Sequence, residues 1–419
     1  MDRLRCFIGI TVFWLGLSVI GDGFTALVVP FRLAGLTDPA HAATLIGLVT
    51  FVGLLVGVVT QPIAGAASDA LHGQWGRSGT LLVSVLLTLP ALAIFATVPS
   101  VVGVLVAFLL LQVGLNISQA SQQGFVPDLI DEGARGRASG LKGFADLGGA
   151  FIGFLALGAL LANGNPTPAV AFAALFLIVA ALLAVGMVRE PRLVATIPRS
   201  TVRSVFEIDL RTHHVFVRVV AARFLFLLGT FVVGRYVLLF VAERLGIDPS
   251  TAADETGALL AGLTLLTALA AIPGGWLADR IGRPRTMAAG SLLAAAGASL
   301  LIVADTAPEI LVFGALLSIG TATFAAANWA MTADLVPRSE AARFFGLANI
   351  GTGGAAAAAG LLGPAIDIVR GVVPVLGYGV VLVIALTAFL AAYLATKALL
   401  PAVQAGGAVP APINPGASS

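Results

Sequence analysis

The sequence predicts an all-α integral membrane protein, with twelve transmembrane helices arranged as two pseudo-symmetric six-helix bundles. Three observations carry this expectation. The composition is 58% hydrophobic and only 11% charged, with a mean hydropathy of +1.02, whereas soluble domains carry about 25% charged residues. Twelve stretches are each long and apolar enough to cross a bilayer, which takes roughly 20 residues at 1.5 Å rise. The second half of the chain also repeats motifs of the first at a nearly fixed offset, the sign of a duplicated architecture.

In chain order, residues 6–31 follow the short basic start MDRLR. This run is too long for a signal-peptide core and lacks an A-x-A-like cleavage site, so it reads as the first membrane helix. Residues 42–64, 79–98, 101–123, 138–162 and 167–188 complete an N-terminal bundle over 1–188. The longest polar stretch, 189–215, reads as a linker. Residues 216–242, 256–278, 286–304, 309–332, 344–368 and 374–399 build the C-terminal bundle over 216–399. The Pro-, Ala- and Gly-rich tail, 400–419, is expected to be disordered. With the amino terminus in the cytoplasm, Lys and Arg fall on the cytoplasmic side, except Arg32, Arg244 and Arg370 outside and Arg223 and Arg235 within the seventh segment. This bias predicts a multi-pass protein of the plasma membrane with both termini cytoplasmic.

The repeat is explicit in GAASDALHGQWGR, residues 65–77, and GWLADRIGRPR, residues 275–285. Gly65 and Gly275 differ by 210 positions, as do Asp69 and Asp279, whereas Arg77 and Arg283 differ by 206. The first copy has gained four residues in its turn, and His72 lies in that expansion without a counterpart. The 206 offset then pairs Asp128 with Asp334, Arg137 with Arg343 and Gly140 with Gly346. Two halves in the same orientation form a parallel repeat of the kind found in some transporters.

On these residues the chain resembles the major facilitator superfamily. GGWLADRIGRPR is similar to that family's signature loop between the second and third helices of a half, G-x-L-x-D-R-x-G-R-[RK]. GAASDALHGQWGR is similar to the longer form found in glycoside/cation symporters and sucrose-transporter-like members, departing from the loop pattern at Ala70 and Ser78. Residues 222–246 also resemble the seventh helix of that branch. The resemblance implies that Asp69 faces the start of the eleventh helix and Asp279 that of the fifth. It further implies that Arg77 can pair with Asp128 and Arg283 with Asp334, contacts that form when the cytoplasmic side closes. Gly65 and Gly275 would permit close helix approach there.

The repeat also sorts the charges. Those present in both halves, Asp69/Asp279, Arg77/Arg283, Asp128/Asp334 and Arg137/Arg343, serve the fold and its gate; the alternative is that they are ordinary topology-setting loop charges. Those present in one half are candidates for binding solute or coupling ion: Asp22, Asp146 with Lys142, and Arg235, whose counterparts are Val232, Thr352, Ala348 and Thr25. An ionisable group inside a bilayer costs at least about 2.5–3.5 kcal/mol on insertion scales and is usually turned to a cavity or a partner. Asp22 lies on a polar stripe with Thr11, Trp14, Ser18 and Thr25. Arg235 pairs with Asp22, alternates with it in holding solute and proton, or snorkels to the outer surface. Asp146 faces the cavity or forms a local ion pair with Lys142. Gln112, Asn116, Gln119 and Gln123 make one amide face of the fourth segment, with Asn328, Trp329 and Thr332 at the matching level of the tenth. Such amides either bind a hydroxyl-rich solute or act as glue between helices.

The remaining chemistry is mostly excluded. A net charge of +2 without a basic stripe argues against nucleic acid. Cys6 is the only cysteine, and His213 and His214 lack metal-ligand spacing. The glycine-rich GTGGAAAAAG at 351–360 has no Lys-Ser/Thr ending and reads as tight helix packing. With no catalytic grouping and no nucleotide-binding domain, neither an enzyme nor an ATP-driven pump is expected, and no cofactor or metal is implied. The expectation is a monomeric secondary active transporter in the lipid bilayer, working by alternating access and moving a small polar solute, a sugar or glycoside, coupled to protons or another cation. Proton-driven efflux of a drug or metabolite is the alternative transporter, and a non-transporting membrane receptor the alternative outside that class.

Overall fold

The computed structural model describes residues 2–129, 135–188, 213–335 and 341–399. The helices are α1 Asp2–Ser18, a π-helical segment Val19–Val28, α2 Val29–Ala34, α3 Ala42–Thr97, α4 Val101–Leu129, α5 Arg135–Leu161 and α6 Thr167–Met187 in the first half. The second half holds α7 His214–Leu245, α8 Pro249–Ile281, α9 Arg283–Leu301, α10 Ala307–Leu335, α11 Ala341–Leu361, α12 Gly363–Val372 and α13 Gly379–Lys397. No strand occurs among the described residues. The chain is an all-α membrane protein, and the linker and tail expected at 189–215 and 400–419 lie almost wholly outside the described residues.

The second and third expected segments both lie in α3, as two membrane-length helices, Pro39–Ser68 and Gly76–Thr97, that part at a break at Gly76, where φ is 68°. Glycine alone adopts that angle without strain, which locates the turn. Among the described residues, eleven helices are long and apolar enough to span a membrane. The helix that falls short is α9, whose nineteen residues carry two arginines and are otherwise rich in Ala, Gly and Ser. It nonetheless packs closely on α10: a β-carbon at Gly290 would lie 2.7 Å from the Phe324 nitrogen. Finally, the first expected helix is interrupted by the π-helical segment around Gly21 and Gly23, where a β-carbon on Gly23 would stand 2.7 Å from the Gly153 backbone.

Successive helices alternate between a terminal face, which holds Asp2 and Lys397, and an opposite face. The two halves interlock at the opposite face. Gly158 of α5 meets Ala253 and Gly257 of α8, and Gly360 and Gly363 beside α11 and α12 meet Gly47 and Ala43 of α3, all at distances that leave no room for a β-carbon. At the terminal face the glycines Gly65, Gly140, Gly143 and Gly275 have no neighbouring atom within 4 Å of where a β-carbon would sit. Close approach at Gly65 and Gly275, expected from the repeat, is thus absent in this conformation. The described glycines thus bring the halves together at the opposite face and leave them apart at the terminal face.

Candidate functional site

The first half of the cavity carries a compact polar cluster on α1, the π-helical segment and α5. Lys142 Nζ lies 2.7 Å from Asp146 Oδ2, one helical turn away, and 4.2 Å above the Trp14 ring. Ser18 Oγ donates to Asp146 Oδ1 at 3.4 Å. The local ion pair between Lys142 and Asp146 is therefore formed, and it also ties α5 to α1. Asp22 sits midway along a membrane-length segment yet is exposed, and the charges acting on it are those of Asp146 and Lys142. An exposed carboxylate at that depth faces water in the cavity, because hydrocarbon would leave it unsolvated.

The expected pairing of Arg235 with Asp22 does not occur. No ion pair joins them among the described residues, and the Arg235 Nε is buried without a hydrogen-bond partner. The side chain is half-buried on α7. The amide face of α4 divides. Asn116 Nδ2 donates to the Gln112 carbonyl at 2.8 Å, and both side chains lie over the glycines of α3, Asn116 on Gly57 and Gln112 on Gly53. These two fit the reading of amides as helix-to-helix glue. Gln119 is half-buried and Gln123 exposed. Between them in sequence, Gln122 is fully buried with both amide atoms unpaired.

In the second half, Asn328 is buried and Trp329 is 43% exposed. Both surround a group the sequence reading placed in the seventh segment and left out of the site, Arg223. Its Nε donates to Thr352 Oγ1 at 3.0 Å, its Nη1 to Asn328 Oδ1 at 3.2 Å, and its guanidinium lies 4.4 Å over the Trp329 ring. The repeat rule could have found it, since its counterpart is Phe13. A separate cavity of about 200 Å³ lies inside the second half, lined by α7, α8, α9, α10 and α13. Four of its threonines, Thr230, Thr264, Thr267 and Thr321, already donate to carbonyls of their own helices. It offers little to recognise a polar solute.

The gate residues are only partly described. Arg283 pairs with Asp334, as the resemblance implied, and its Nη1 also donates to the Ala330 carbonyl at 2.7 Å. Both partners belong to the second half, and the pair is formed with the terminal face open, so it does not depend on the halves meeting. Arg77 is buried and donates to Ser68 Oγ at 3.1 Å. Asp279 is exposed. The side chains of Asp69, His72, Asp128, Arg137 and Arg343 lie outside the described residues. At the opposite face, Asp367 Oδ2 accepts from the Thr44 backbone nitrogen at 2.7 Å, and Arg370 Nη1 donates to the Pro39 carbonyl at 3.3 Å. Both hydrogen bonds join the two halves. Sequence reasoning missed them because Arg370 was treated only as an outward loop charge.

Among solved structures, the chain is similar to a D-xylose-proton symporter at 17% identity, TM-score 0.73, over 97% of this chain and 99% of that one. It is similar to the nucleoside transporter NupG at 12% identity, TM-score 0.72, over 95% and 98%. A bacterial homologue of the human lysosomal transporter Spinster matches at 14% identity, TM-score 0.69, over 96% and 97%. No curated relative matches the chain. The family model of the Major Facilitator Superfamily matches residues 7–253 and 219–417, nearly the entire length. The chain is a membrane transporter of small solutes and belongs to the Major Facilitator Superfamily.

Proposed function

We propose that the protein is a proton-coupled secondary transporter of a small polar, hydroxyl-bearing solute such as a sugar or glycoside, working as a monomer by alternating access. In this reading 1–188 and 216–399 are the rocking halves, the terminal face is cytoplasmic, and the conformation described is inward-open. Asp22 carries the proposal. It is a carboxylate at mid-membrane depth, exposed to the cavity and under the field of the Lys142–Asp146 pair, which is what a reversible proton site needs. Ser18, Asp146, Gln119, Gln123 and the Asn328–Trp329 level are assigned with it to polar recognition of the solute. The repeated charges Asp69, Asp279, Arg77 and Arg283, with Asp128, Arg137, Asp334 and Arg343, are assigned to the cytoplasmic gate.

The test is transport in proteoliposomes. Asp22→Asn is expected to abolish uptake driven by a proton gradient while solute exchange in the absence of a gradient continues. Equal loss of both activities would assign Asp22 to solute binding or folding instead.

A further inference from the structure

We propose that the solute carries one carboxylate and that Arg223 is the group that receives it. This rests on the transporter reading above and specifies its substrate class.

The argument begins with a missing charge. Arg223 lies nine residues into the membrane helix α7 and is 7% exposed. Among the described residues it forms no ion pair, since every salt bridge found there joins other groups. It is instead held by two neutral acceptors, Thr352 and Asn328, and by the Trp329 ring. A buried guanidinium without a counter-charge is costly at membrane depth, and its usual partner is an anion. Two of its five N–H groups are bonded here, which leaves donors in the fork geometry that suits a carboxylate.

The internal repeat shows where the counter-charge would be if the protein supplied it. Thr352 stands 206 positions after Asp146, and Asp146 is the acid that neutralises Lys142 in the first half. The first half thus balances its own cation, while the second half presents a cation with a threonine in the acid's place. A second observation points the same way: Asn328 Nδ2 is buried without an acceptor although its Oδ1 is engaged by Arg223. A carboxylate beside Arg223 would satisfy that donor along with the free guanidinium N–H groups, which buried polar groups require. The exposed indole of Trp329 lies over the guanidinium. Arg235, the other α7 arginine that is at least half-buried and forms no ion pair, is twelve residues further on, about 18 Å along the helix, too far to share a small solute's single carboxylate with Arg223. Taking up one carboxylate together with one proton leaves the charge of the cavity unchanged.

The experiment is a thermal-shift titration of the purified full chain with matched pairs: D-glucuronate against D-glucose, D-gluconate against D-glucitol, and L-lactate against L-lactamide. A bound ligand stabilises by mass action. The expected result is stabilisation by the acid of at least one pair and not by its neutral partner. Arg223→Gln should weaken that response at least tenfold, Arg223→Lys should retain part of it, and Arg235→Gln should keep it. Asn328→Asp places a carboxylate beside Arg223 from within, so it should raise the melting temperature of the ligand-free protein and abolish the acid response. The proposal is overturned if no acid responds, if neutral partners respond equally, or if the acid response survives in Arg223→Gln or Asn328→Asp. A neutral sugar that binds with Asp22-dependent proton coupling would remove the carboxylate and leave the transporter reading standing. An acid response without Asp22-dependent coupling would do the reverse.

Discussion

A β-carbon on Gly360 would lie 2.8 Å from the Gly47 carbonyl oxygen, and one on Gly47 would lie 2.7 Å from the Tyr236 hydroxyl. That hydroxyl in turn donates to the Ala359 carbonyl at 3.3 Å. One hydrogen at each position therefore decides whether α3 can reach α11. Gly47→Ala is expected to force the helices apart and cost about 1–3 kcal/mol in the conformation closed at this face. Cysteine-accessibility labelling at exposed Ala40, in a Cys6→Ala background, should show faster modification from that side. Unchanged labelling would mean that the contact is relieved without opening. The sequence reading named close approach at Gly65 and Gly275, at the other face, and tight helix packing at 351–360, the stretch that ends on Gly360. Glycine content is legible in sequence. Which glycines touch depends on the conformational state, and a transporter has at least two. Arg223 was unread for a different reason: it sits in an apolar run among other charges, and only its neutral neighbours Thr352 and Asn328 reveal that it lacks an acid.

At the scale of helices, α8 begins with a complete cap. Asp248 Oδ1 accepts from the backbone nitrogens of Ser250 and Thr251 at 3.0 and 3.1 Å, and Oδ2 accepts from Thr251 Oγ1 at 2.5 Å. The hydroxyl bonds from Ser250 and Thr251, with the Thr251 backbone bond, hold this carboxyl well below the usual carboxylate range. A depressed folded-state pKa means the cap stabilises fully above the ordinary aspartate value of about 3.9 and fades as pH falls through the lower folded value. Hydrogen exchange of residues 250–253 should therefore be slow at pH 6 and quicken, relative to intrinsic rates, only well below pH 4. In Asp248→Ala exchange should be fast at both, and a mutant as protected as the parent would refute the cap. Helix existence and order were legible because apolar run length answers directly to bilayer thickness. The π-helical segment was not, because a wider turn breaks the 3.6-residue period on which the stripe of Thr11, Trp14, Ser18, Asp22 and Thr25 was drawn. In the structure Thr11 bonds its own helix at the Phe7 carbonyl and Thr25 reaches back five residues to the Ile20 carbonyl. Of that stripe, Trp14 and Ser18 contact the Lys142–Asp146 cluster and Asp22 lies within its field.

Among the described residues, glycine contacts and a charged latch join the two halves. Asp367 is 9% exposed and accepts from the first turn of α3 at Thr44, so its carboxylate faces the positive end of a helix in the other half. Arg370 lies 3.6 Å from Asp367, bonds Glu243 at 2.9 Å and stacks 3.6 Å over Tyr378 while it reaches Pro39 in the first half. The latch is anchored in the second half and grips the first by two backbone atoms only. This arrangement suits a contact that must break on every transport cycle: the charged groups keep partners of their own when the halves separate. A hydrogen bond to a charged group contributes roughly 1.5–3 kcal/mol, so Asp367→Ala should favour the state open at this face by about 10- to 150-fold. Spin labels at Ala40 and Val375, one on each half, should then gain a longer distance population in double electron–electron resonance. A distribution identical to the parent's would show that the glycine contacts alone hold this face closed, and that the latch follows the motion without biasing it.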